Sequence, residues 1–189
     1  MKESDRLPPI PVEEQTPEQR EASAVFKANR KQDVFGPFVP LLRSPEVMLR
    51  AMAMGDYLRF RTVLPRKLNE LIILITARKW SQEYEWYVHH PLAIEEGLHP
   101  GIARDVAAGR RPEAMDADEE LVYDFTSGLL ATLGVSDALY ARAVARFGEQ
   151  GTIDMTSVAG FYTFIAMVLN TAHTPLPTGA TPAFRPSGV

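Results

Sequence analysis

The chain has 189 residues, 46% of them hydrophobic and 23% charged, with a formal net charge of −4, the profile of a globular domain able to bury a core. Its basic residues are scattered, which argues against nucleic acid or an acidic membrane surface as a partner. It contains no cysteine, so disulfides, thiolate metal sites and thiol redox or nucleophilic chemistry within the chain are excluded.

Met1 to Pro11 is charged and proline-bearing, unlike a secretory signal. The longest apolar stretch, Val158 to Leu169, is too short to span a bilayer. A cytoplasmic location is expected. Residues 1 to about 16, with Pro8, Pro9 and Pro11, read as an extended or disordered arm, and Pro17 to Arg30 as a short helix. Phe35 to Pro40 holds two prolines that remove donors and restrict their neighbours, so an irregular apolar loop is expected. Ser44-Pro45 reads as an N-cap and first helical residue, opening a helix to about Arg61.

Pro65 opens the next helix, to about Trp80. Its run Leu71 to Ile75 could be a strand by periodicity alone, and its length and flanking Arg66-Lys67 favour a buried helix. Another helix covers about Gln82 to Glu96, kinked at Pro91 and ended by Gly97. Pro100 to Ala108 is a short helix ended by Gly109. Asp116 with Glu119 forms a capping box for a helix to about Leu133. Ser136 caps one ending at Gly148, and the last runs from about Thr152 to Ala172 with Val158, Phe161, Tyr162, Ile165, Val168 and Leu169 on one apolar stripe. Pro175 to Val189, rich in proline, reads as a loop or arm. The fold class is all-α, divided into an arm at 1–34, a helical domain at 35–175 and a tail at 176–189.

Four polar residues stand in apolar surroundings: Glu70, Gln82, Glu85 and His89. The last three are spaced i, i+3, i+7 and share a helix face. A histidine titrates near neutral pH, and a neighbouring carboxylate orients it and raises its pKa, so Glu85 and His89 form a candidate acid/base pair with Glu70 as donor or relay. Glu70 also has a purely structural reading: pairing with Arg66, Lys67 or Arg78, or a turn toward a subunit boundary. Trp86, Tyr87 and Tyr84 read as core or interface groups sooner than as ligand-stacking ones. His90 reads as packed, His99 as a surface residue and His173 as a helix C-terminal group. Met48, Met52 and Met54 read as core. The chain has neither His-Glu-x-x-His nor a second Glu-x-x-His, and no required metal or other cofactor is expected.

Asn69-Glu70-Leu71, then Glu85-Trp86-Tyr87-Val88-His89, Ala93 and Gly97-Leu98 resemble the carboxymuconolactone decarboxylase family, which includes the alkyl hydroperoxidase D proteins. Gly160-Phe161-Tyr162, Leu169-Asn170 and Pro175-Leu176-Pro177 resemble its last helix and exit, so the likeness covers most of residues 35–179. The peroxidase branch carries Cys-x-x-Cys-x-x-x-His after an upstream glutamate. Counted back from His89, this chain has Glu85 and Gln82 at the two cysteine positions and Glu70 at the glutamate. Neither replacement can attack a peroxide as a thiolate does.

The resemblance therefore implies an alkyl hydroperoxidase D-like helical fold, a trimer or hexamer, and decarboxylase-like chemistry. The substrate would be a small carboxylate-bearing lactone of aromatic catabolism. His89, Glu85 and Glu70 would be catalytic and Gln82 and Trp86 substrate-binding, with Arg78 or an arginine of another subunit holding the carboxylate. Two rivals stand beside it: a non-catalytic oligomeric binding protein on this fold, and a cysteine-independent antioxidant enzyme.

Overall fold

Every residue from Leu68 to Ala77 is buried in the structure, a computed structural model that describes residues 4–184. Around this run the described chain forms eight α-helices, with a single 3-10 turn at Val12–Glu14 ahead of them, and no strand. They are α1 (Pro17–Arg30), α2 (Phe38–Leu41), α3 (Pro45–Phe60), α4 (Arg66–Lys79), α5 (Glu83–Glu95), α6 (Pro100–Ala107), α7 (Ala117–Thr132) and α8 (Asp137–Ala172). The central α4 is covered by α5, α6, α7 and α8. A helix apolar on all sides is stable only when enclosed in this way, which explains why the strand-like run Leu71–Ile75 is helical.

The local signals account for most helix ends. Asp116 and Glu119 form the reciprocal capping box of α7, and Glu119 also pairs with Lys67 of α4 at 2.9 Å. Gln82 caps α5, accepting from Tyr84 N–H at 2.7 Å. Ser136 caps α8. Ser44, in contrast, makes no side-chain cap to α3. Gly148 (φ 71°, ψ 174°) is non-helical, so α8 consists of two helices meeting at a kink there, in agreement with the expected break. An 18-residue window of α8 is apolar and long enough to cross a bilayer, but 56% of it is buried inside the protein. It serves as a core helix.

Three expectations change. Phe38–Leu41 is a short helix rather than an irregular loop, with Pro37 at its N-cap and Pro40 in its first turn, where a missing N–H costs no internal bond. Met54 is 45% exposed while Met48 and Met52 are buried. The segment before α1 is laid on the body: Arg43 donates to the carbonyls of Leu7 at 3.2 Å and Pro8 at 2.6 Å, and Arg6 N–H reaches Ala172 O at 2.8 Å. The expected tail is described to Phe184, where Glu83 accepts from the N–H groups of Ala183 and Phe184; residues 185–189 of that expectation lie outside the described residues.

Candidate functional site

The turn at Ser81 (φ 48°) folds α5 back along α4 and sets Glu70 opposite His89. Glu70 Oε2 lies 2.7 Å from His89 Nδ1, and both side chains are 5% exposed. A contact that short between carboxylate and imidazole requires a proton between them. The Glu70 bond therefore fixes the ring and turns Nε2 the other way. There it meets Glu85 Oε2 at 3.6 Å, outside hydrogen-bonding distance. The imidazole thus stands between two buried carboxylates, bonded to one and separated from the other.

The basic residues near Glu70 in sequence are engaged elsewhere. Arg66 pairs with Glu96 at 3.1 Å, Lys67 with Asp116 and Glu119, and Arg78 donates to Ala107 O at 2.9 Å. Among the described residues no lysine or arginine forms an ion pair with Glu85, and His89 at 3.6 Å is its nearest ionisable partner. Burial pushes its carboxyl above the usual range, and the nearby Glu70 charge adds to this, while His89 and Arg59 oppose it. The protonated form of Glu85 is thereby favoured relative to that of a free carboxylate.

His89 and Glu85 open onto a small cavity of about 60 Å³. Its wall is completed by Arg30 of α1, the loop and helix at Phe35–Phe38, Gly55 and Arg59 of α3, Tyr84 and Val88 of α5, and Phe161, Tyr162 and Ile165 of α8. Tyr162 meets the His89 ring edge-on at 5.0 Å. Its hydroxyl pKa lies well above 10 because the group is buried, so it remains a neutral donor. Gly55 has a packing reason: a Cβ there would stand 3.1 Å from the Phe161 ring.

The structure thus brings Glu70, Glu85 and His89 together and keeps the three other expected site residues away from the cavity. Gln82 is spent on its cap and on Asn170, to whose Oδ1 it donates at 2.7 Å. Trp86 stacks on His90 at 5.7 Å and meets Phe184 edge-on. Arg78 lies over the Phe184 ring. Arg30, Arg59 and Tyr162 take places on the wall that the sequence did not assign. Tyr162 was legible as part of the apolar stripe of α8 and of the Gly160-Phe161-Tyr162 likeness, without a role at the site, and Arg59 carried no signal beyond a charge between Leu58 and Phe60. No group of three His, Asp or Glu among the described residues is arranged to hold a metal.

No protein-family profile matches the chain, and no curated protein matches it in sequence. Among solved structures it is similar to the crystal structure of an alkylhydroperoxidase AhpD core from Ralstonia eutropha JMP134, an uncharacterized peroxidase-related protein. The TM-score is 0.74, with 16% identity and 92% of each chain covered. The fold is AhpD-like. At this identity the likeness carries the fold and no activity, so the chemistry of this AhpD-like chain rests on its own residues.

Proposed function

We propose that this AhpD-like protein is a proton-transfer enzyme acting on a small carboxylate-bearing substrate, in the manner of a carboxymuconolactone decarboxylase. The observation that carries the reading is His89, fixed by Glu70 on one nitrogen and presenting the other to Glu85 at a cavity. Loss of carbon dioxide breaks a carbon–carbon bond and leaves its electron pair on the remaining fragment, which must then be protonated. A positioned acid with a raised pKa meets that need. Glu85 supplies the proton directly or through His89 Nε2, and Glu70 holds the ring and stabilises its cationic form. The cavity is smaller than a carboxylated lactone, so the reading takes entry of the carboxyl-bearing end. Thiol peroxide chemistry is not part of it, because the chain has no cysteine.

We extend the reading to a homo-oligomer. Phe60, Val63 and Ile153 are exposed, and Val63 and Ile153 are neighbours through the bond from Val63 N–H to Asp154. Large exposed apolar groups of this kind favour an interface.

The test is absorbance loss of 4-carboxymuconolactone and related lactones with purified wild type, His89→Ala and Glu85→Gln, each sized by sedimentation. Turnover that collapses in both variants while the assembly persists supports the reading. Turnover unaffected by His89→Ala, or none with any lactone, removes it in favour of a binding role.

A further inference from the structure

Among the described residues only four buried side-chain polar atoms lack a hydrogen-bond partner, and two of them are Arg30 Nε and Arg59 Nε. Both arginines line the cavity of His89 and Glu85. Buried donors left unpaired are costly, most of all on a charged group. Two guanidinium donors on one small cavity therefore call for an acceptor that the fold does not supply.

The two arginines differ in how they are held. Arg30 is fixed by Asp56, whose Oδ1 lies 2.6 Å from its Nη2, and it packs over the Phe38 ring. Arg59 takes no part in any ion pair among the described residues. It lies over the Phe60 ring with its guanidinium carbon 5.1 Å from the centroid, and acts on Glu85 and Tyr162 only through space. One cation is thus already neutralised and the other is available.

We propose that Arg59, assisted by Arg30, binds the carboxylate of the substrate and is the specificity-determining cation of this cavity. The assignment rests on the proton-transfer reading of the same site for its substrate class, and moves the carboxylate-binding role from Arg78 to Arg59. A guanidinium offers paired donors in the plane of a carboxylate. The rest of the wall is largely apolar, with Phe35, Phe38, Val88, Phe161 and Ile165, which suits a monoanion on a hydrocarbon body better than a phosphate. Phosphate, with up to two charges on one group, would also set both of them against the Glu85 and Glu70 carboxylates beyond His89.

The experiment uses the full chain with its histidines isotope-labelled, titrated at pH 7 and constant ionic strength with sodium propionate, its neutral isostere propionamide, and inorganic phosphate. Propionate is expected to shift the His89 ring signals saturably, and propionamide to leave them in place. Arg59→Gln should weaken propionate binding about tenfold or more, close to the 1.4 kcal/mol that one decade of affinity represents. Arg59→Lys, which keeps the charge and loses the fork, should recover part of it.

Equal binding of propionate and propionamide by the wild type overturns the assignment without reliance on any variant. Undiminished propionate binding by Arg59→Gln does so as well, and preferential binding of phosphate removes the carboxylate class. Lactone turnover separates the two claims. Arg59-dependent propionate binding without turnover retains the site and removes the lyase reading. Turnover undiminished in Arg59→Gln retains the lyase reading and removes Arg59 from it.

Discussion

At the scale of single residues the site is an arrangement of charge in a place where charge is expensive. Glu70 and His89 compensate each other, so removing one leaves the other buried and unpaired. Glu70→Ala should lower unfolding stability by about 3–5 kcal/mol, measured by urea denaturation at pH 7; a loss below about 1 kcal/mol would show that the pair is solvated in solution. Glu85 behaves oppositely. Its pKa is raised from 4.5 by burial, so the folded protein holds this proton more tightly than the unfolded chain does. Its contribution to stability is complete below about pH 4.5 and is lost as pH rises through the raised value. Glu85→Gln should therefore gain on the wild type as pH rises above about 4.5, and parallel stability curves for the two proteins would contradict the assignment. The partner of Glu70 was not legible in the sequence, because Arg66 and Lys67 stood within helical reach and Arg78 stood farther along the same helix; only the fold shows each of them drawn off to Glu96, to Asp116 and Glu119, or to Ala107 O.

At the scale of elements, local chemistry and local structure agree closely. The capping box of α7, the proline openings of α1 and α3, and the start of α8 after Ser136 were readable because each depends on residues within a few positions of one another. The Phe38–Leu41 turn was not, since two prolines close together suggest irregular chain unless both fall before the first internal helical bond. Gln82 was visible as a helix-starting residue, but its second partner, Asn170, lies 88 positions away. The loop before α2 gives a test of its own. Gly36 has φ +56°, and a Cβ there would lie 3.1 Å from the Tyr84 hydroxyl. Gly36→Ala should cost about 1–2 kcal/mol from the left-handed backbone alone and displace Tyr84 from the cavity wall. A thermal unfolding curve matching the wild type would show that the loop takes another conformation.

For the whole molecule, the all-α class and the AhpD-like fold were both anticipated from the sequence, the first from helix punctuation and the second from a likeness centred on α4 and α5. The cavity wall was legible only in part: His89 and Glu85 of α5 and Phe161-Tyr162 of α8 lie within that likeness, whereas Arg30 of α1 and Arg59 of α3 carried no signal. This division has a kinetic consequence. Glu70 and His89 are 19 positions apart and their helices are joined by a tight turn, so the chain closes a short loop at little entropic expense. Tyr57 and Asp154, which tie α3 to α8, are 97 apart. Contacts of short separation form readily and those of long separation later, which predicts φ-values above about 0.5 for conservative substitutions in the α4–α5 hairpin and nearer about 0.2 for Tyr57→Phe. The reverse order would be contrary to this picture. In the predicted order the Glu70–His89 pair meets while still open to water, and Arg30, Arg59 and Tyr162 enclose it only as the remaining helices dock, so a nascent chain would hold this polar pair before the cavity around it is closed.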